Sequence, residues 1–140
     1  MFQERPLWGW GPGTYQFEYA PFQTSDLRTI ISTNNADLGN AHSEYLGPLA
    51  EQGVLGLVGV LALLLVTCHL GFKLQRTLTG LEEKRLAMGL FLGLITYFVH
   101  GVLNNYLDTD NASAPFWGFL ALLVVLDLGT KATQDRPRIT

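Results

Sequence analysis

Residues 54–72 read VLGLVGVLALLLVTCHLGF. The stretch contains no Asp, Glu, Lys or Arg, and its single histidine, His69, sits near one end. Nineteen residues at about 1.5 Å each span roughly 28 Å, close to the hydrocarbon thickness of a bilayer. A helix on the surface of a soluble protein keeps a polar face, and this run has none over about five turns. It therefore predicts a membrane helix. Gly53, Gly56 and Gly59 recur at its start, a small-residue spacing that favours close helix packing in lipid.

Two further apolar blocks follow, LAMGLFLGLITYFVHGVL at 86–103 and ASAPFWGFLALLVVLDLG at 112–129. Gly89 and Gly93 lie on the second block. In the third, Ser113 suits an N-cap and Pro115 a first turn, with Asp127 near the far end. Hydrophobic residues make up 48% of the chain and charged residues 15%, and most of the charge lies outside the blocks. The net charge of −3 is scattered and gives no footprint for nucleic acid. The one cysteine, Cys68, lies inside an apolar block and can form no internal disulfide.

Charge sets the orientation. Lys73, Arg76, Lys84 and Arg85 lie between the first two blocks, and Lys131, Arg136 and Arg138 follow the third. The connection from Asn104 to Ser113 carries Asp108 and Asp110 and no basic residue. Basic loops stay in the cytoplasm. The expected architecture is an all-α integral membrane protein. An extracytoplasmic segment with short helices (1–52) leads into membrane helices at 53–72, 86–103 and 113–129. A cytoplasmic loop (73–85), an extracytoplasmic loop (104–112) and a cytoplasmic tail (130–140) complete it.

The outer segment carries the chemistry. It opens on RPLWGWGPGTY at 5–15 and continues, aromatic and polar, to turn signals at Asn34-Asn35 and Leu38-Gly39-Asn40. A glycine-rich loop such as Gly9-Trp10-Gly11-Pro12-Gly13 could cradle phosphate through its N–H groups. It fits neither the dinucleotide fingerprint nor the Walker pattern, and Pro12 removes one donor. The alternative is a tight turn whose tryptophans rest at the membrane interface. Next comes NAHSEYLGPLAEQG at 40–53. Asn40 suits an N-cap for a helix with His42 in its first turn, where helix-end N–H groups would disfavour the imidazolium. A neutral imidazole can accept a proton. On spacing alone His42 could equally be a surface histidine, and it lacks a HxxxH or HxxE partner for metal. Glu44 and Glu51, seven apart, would share a face of a continuous helix, but Gly47-Pro48 predicts a break between them. Glu51 could then complement the positive end of the membrane helix.

The stretch AHSEYLGPLAEQGVLGLVGVLALLL at 41–65 resembles the signature of the O-antigen ligase and polymerase family. That signature is a histidine, a Glu-Tyr-Leu or similar, a glutamate-any-glycine, then a membrane helix. It is met here by His42, Glu44-Tyr45-Leu46 and Glu51-Gln52-Gly53. Upstream, RPLWGWGPGTYQFEY resembles the Pro-Leu-x-Gly-x-Gly-x-Gly opening of the same family's large periplasmic loop. The resemblance implies a membrane glycosyltransferase of the bacterial inner membrane that takes a polyprenyl-diphosphate-linked glycan as donor and needs neither metal nor cofactor. The acceptor would be a lipid A core sugar for a ligase, another glycan for a polymerase, or a protein hydroxyl for a protein O-oligosaccharyltransferase. His42 matches the family's proposed general base, and Glu44 and Glu51 would orient. Arg28 and Arg5 are the arginines left on the outer side, Arg28 being the candidate diphosphate contact. Family members carry many more membrane helices ahead of this loop, so the chain reads as a C-terminal fragment that is inactive alone. A transporter fragment or a membrane anchor is the competing class. A transporter places more polar residues in mid-membrane, and an anchor needs no paired motifs.

Overall fold

The computed structural model describes residues 1–27, 40–108 and 110–134. Among these the secondary structure is entirely helical: α1 (Tyr15–Glu18), α2 (Leu46–Thr77), α3 (Leu81–His100) and α4 (Asp110–Gln134), with single 3-10 turns at Ala20–Phe22, Ser25–Leu27 and Tyr106–Asp108. The turn signals at 34–35 and 38–39, Arg28, Arg136 and Arg138 lie outside the described residues. The chain forms two compact units, one of residues 1–62 with 100–107 and one of residues 63–99 with 108–140.

Among the described residues two helices, Leu46–Thr77 and Asn111–Lys131, are long and apolar enough to cross a membrane. Helix α3, formed by the second apolar block, is not one of these two. Helix α3 opens on Glu82, Glu83, Lys84 and Arg85 and ends at His100, leaving an uncharged run at 86–100 of about 22 Å. Residues 101–103, expected inside that helix, form a turn. The expected loop at 73–85 is also mostly helical, because α2 runs to Thr77 and α3 begins at Leu81. Alternating Leu, Lys, Gln and Arg are good helix formers, and only Leu78-Thr79-Gly80 interrupts them. Helix α4 starts at Asp110, so Ser113 is inside it rather than its cap, and Pro115 is an internal proline.

Each helix of the second unit buries one narrow seam. In α2 it is Thr67, Gly71 and Leu74, continued by Leu78 just past its end; in α3 Ala87, Leu90, Phe91, Leu94 and Phe98; in α4 Phe116, Leu123 and Asp127. The spacing of three, four and seven is that of a helix stripe. Close approach is made at Gly71, where a Cβ would stand 2.4 Å from the Phe91 ring, and at Gly93 against Phe119 at 3.0 Å. Gly59 and Gly89, expected at packing faces, meet nothing within 4 Å. Asp127 is buried and pairs with Lys73 at 2.5 Å and Lys131 at 3.3 Å. Outside the seams the helices remain apolar: Leu65, Val66, Phe72, Leu92, Val99, Val125 and Leu128 are all exposed.

Helix α2 is bent, and the bend positions the motifs. The sequence predicts the break at Gly47-Pro48. It occurs instead at Gly53, with φ 67° and ψ −156°. Pro48 falls near the start of the helix, where the turn is held by Gly47 N–H to Ser43 carbonyl (3.0 Å) and Leu49 N–H to Tyr45 carbonyl (3.1 Å). A proline near a helix start costs little because few N–H groups there have helix partners. Gly53 adopts the left-handed φ that only glycine takes without strain.

Candidate functional site

The first unit joins the two sequence motifs. The Gly11 N–H donates to the main-chain carbonyl of Glu51 at 2.7 Å. The Gly13 N–H donates to Oε2 of Glu51 at 2.7 Å and the Tyr15 N–H to Oε1 at 2.9 Å. Gly9, Gly11 and Gly13 all take positive φ, at 64°, 118° and 74°, and the N–H groups of Gly11, Gly13 and Tyr15 all end on Glu51. The loop thus gathers donors around an anion, as a phosphate cradle would, but the anion is the chain's own Glu51 carboxylate. The expected role of Glu51, complementing the end of the membrane helix, is replaced by this one.

The main chains interlock at the same point. The Val54 N–H, which the kink at Gly53 leaves without a helix partner, donates to the Pro6 carbonyl at 2.8 Å. A Cβ on Gly53 would stand 2.5 Å from the Leu7 carbonyl, and one on Gly9 would stand 2.3 Å from the Glu51 carbonyl. The glutamate-any-glycine spacing therefore has a physical meaning. The carboxylate holds the glycine loop, and the glycine two residues later lets residues 6–7 lie against the bend. Trp10 is half-buried, donates from Nε1 to the Met1 carbonyl at 3.2 Å, and packs against Phe22 at 5.6 Å between centroids. The Arg5 guanidinium lies 4.1 Å from the Trp10 ring centroid. Trp10 is thus a packing residue, whereas Trp8 is 76% exposed. Tyr15 stacks on Tyr19 at 4.7 Å. Burial, with the neighbouring Tyr19 second, pushes the Tyr15 phenol well above the ordinary tyrosine range.

His42 does not lie in a helix. Its N–H is accepted by the Asn40 side chain at 2.9 Å in a local turn, its φ is +45°, and it is exposed. The helix cap is Ser43, buried, whose Oγ accepts from the Tyr45 and Leu46 N–H groups at 3.3 Å each. The helix-end argument for a neutral His42 therefore has no geometric basis here. Asn40 and Ser43 are both cap-forming types, and the contact to Gly101 that favours Ser43 is not local. Ser43 also donates to the Gly101 carbonyl at 3.4 Å.

Glu44 is tied to the turn after α3 and precedes the first residue of α2. Its N–H donates to the carbonyls of Gly101 (2.8 Å) and Asn104 (3.1 Å), and its Oε1 accepts the Leu107 N–H at 2.7 Å. Glu44 and Glu51 do not share a helix face; each fastens a different loop. The pinning of residues 101–107 was missed from sequence, where no signal links Glu44 to a loop some sixty residues on. Burial, and secondarily the Glu44 carboxylate, raises the Tyr45 phenol pKa. Among the described residues no group of three or more His, Cys, Asp or Glu side chains is placed to hold a metal.

The arrangement fastens both loops to a short stretch, residues 43–54, and leaves an exposed histidine in a strained backbone just ahead of it. A non-glycine residue at positive φ is uncommon, costs of order 1–3 kcal/mol, and is found disproportionately at functional sites. Compared with protein-family models, curated proteins and solved structures, the chain matches none.

Proposed function

We propose that this chain is the C-terminal part of an inner-membrane glycosyltransferase of the O-antigen ligase type, moving a polyprenyl-diphosphate-linked glycan onto an acceptor hydroxyl. His42 is the general base, Glu44 and Glu51 are positioning residues, and Arg28 contacts the diphosphate. In this reading α3 is a third membrane helix, the basic residues Lys73, Arg76, Lys84, Arg85 and Lys131 face the cytoplasm, and residues 1–52 face the periplasm. The observation that carries it is the strained, exposed His42 immediately ahead of the segment whose Ser43, Glu44 and Glu51 hold two loops in place. An anchor has no use for such a histidine. The exposed apolar residues outside the helix seams support lipid surroundings.

The chemistry suits the residues. A diphosphate leaves as a stable anion and asks for little protonation, whereas the acceptor hydroxyl must lose its proton as it attacks the anomeric carbon. An exposed imidazole can take that proton. Ligase, polymerase and protein-glycosylating members share these needs, so the acceptor stays at the level of a hydroxyl on a lipid A core, a glycan or a protein. The test is His42→Ala in the full-length gene, reading transferred glycan by gel shift. A positioned base contributes about 10²–10⁴-fold in rate, so transfer should vanish while membrane insertion persists. Near-normal transfer by a well-inserted variant refutes the base assignment.

A further inference from the structure

The turn Arg5–Gly9 is built rigidly and yet presents apolar side chains outward. Gly9 N–H closes it on the Arg5 carbonyl at 3.0 Å, and the Pro6 carbonyl accepts the Val54 N–H at 2.8 Å. Any side chain on Gly53 would collide with the Pro6 and Leu7 carbonyls. Against this backbone, Leu7 is 61% and Trp8 76% exposed, and Arg5 is exposed beside them. Two positive-φ glycines, Gly9 and Gly53, thus hold the backbone that leaves Leu7 and Trp8 in the open.

We infer that the Arg5–Gly9 turn is a bilayer-interface anchor, with Leu7 and Trp8 seated at the boundary of phospholipid headgroups and acyl chains. The occupant follows from main-chain continuity. Val54 begins the apolar run of α2, a helix long and apolar enough to cross a membrane, and the turn is bonded to that first residue. A turn at that height meets the interface, the zone that tryptophan favours for its apolar ring and polar N–H. The arginine two residues before Leu7 supplies a cation where phosphates lie. The inference rests on the membrane reading of α2 and is independent of glycan transfer. It gives Trp8 and Trp10 opposite roles, one facing lipid and the other packed inside.

The experiment is nitroxide labelling of the full chain in phosphatidylcholine/phosphatidylglycerol nanodiscs. Leu7→Cys, Val58→Cys and Gln3→Cys are made in a Cys68→Ser background, and collisions with oxygen and with a water-soluble nickel chelate are compared. The label at 7 should favour oxygen over nickel, at a depth between the label at 58 and the label at 3. A label at 7 as open to nickel as the label at 3 overturns the anchor. A label at 58 open to nickel overturns the membrane reading beneath it, so the two failures are told apart. Because Leu7→Cys could disturb the turn, Trp8 is read separately, as the difference between the native chain and Trp8→Phe. Its emission should be quenched by shallow nitroxide lipids several-fold more than by aqueous iodide, and the reverse order refutes the anchor.

Discussion

Replacing Glu51 by alanine should release the glycine loop while leaving the helices intact. The carboxylate accepts two N–H groups, one part-buried from Tyr15 at 2.9 Å and one exposed from Gly13 at 2.7 Å. Bonds to charged groups are worth about 1.5–3 kcal/mol when sheltered. The Tyr15 bond therefore counts about 1.5 kcal/mol and the solvent-screened Gly13 bond well under about 1 kcal/mol. Together they make roughly 2 kcal/mol, which is about a thirty-fold rise in local opening. Amide hydrogen exchange reads this directly. The Gly13 and Tyr15 amides should exchange about thirty-fold faster in Glu51→Ala, and Gly11 less so, since its acceptor is the main-chain carbonyl of residue 51. Glu51→Gln keeps one acceptor oxygen but turns an NH2 toward the second donor, so it should recover only part of the protection. Unchanged exchange at Gly13 and Tyr15 in Glu51→Ala refutes the idea that this carboxylate organises the loop.

Gly53→Ala should detach residues 1–9, because φ of +67° and a 2.5 Å approach to Leu7 leave no room for a methyl group; chymotryptic cleavage after Trp8 or Trp10 should speed up several-fold. Lys73→Ala strips a 7%-exposed Asp127 side chain of its closer partner and should lower thermal stability by roughly 1–3 kcal/mol. Lys131→Ala removes a cation whose side chain is 56% exposed and should cost less than about 1 kcal/mol. In a phenolate absorbance titration of the five tyrosines, Tyr15→Phe should remove a component that ionises well above the ordinary range. The fold favours the neutral Tyr15 phenol, so its contribution is complete below the ordinary phenol pKa of about 10 and is lost as pH climbs from there toward the raised folded value. A cytoplasm-dependent reporter fused after Thr140 should be active and one inserted near Asp108 silent; the reverse pattern overturns the orientation.

What the sequence revealed depended on how local the cause was. Helix existence is local. An apolar run of nineteen residues without a charge gives α2, and one of eighteen with a single charge, Asp127, gives α4. Helix ends are less local. The apolar run at 86–103 promised a full span, but residues 101–103 leave the helix, and the turn offers its Gly101 and Asn104 carbonyls to the Glu44 N–H. The kink is less local still. Gly47-Pro48 is the stronger breaker by propensity, yet the first turn absorbs it. Gly53 bends because residues 6–7, more than forty positions upstream, occupy the space where a straight helix would continue its own bonding.

The same reasoning explains why the site residues were legible as a motif and not as a geometry. His42, Glu44 and Glu51 stand out because their types and spacing are unusual ahead of a membrane helix. The two carboxylates accept from backbone N–H groups, and backbone N–H groups leave no mark in a sequence. Glu51 meets Gly13 and Tyr15, and Glu44 meets Leu107, through amides that nearly any residue could supply. What the sequence does record is the negative constraint. Gly9 and Gly53 must lack a Cβ because main chain passes within 2.5 Å of where it would stand. A glutamate followed two residues later by glycine, paired with a distant Gly-x-Gly-x-Gly, is therefore the imprint of one packed crossing. The histidine lies outside that crossing, exposed and at positive φ, and packing does not account for it. That separation is why substitution at Glu51 or Gly53 should show in exchange and proteolysis, whereas substitution at His42 should leave both unchanged.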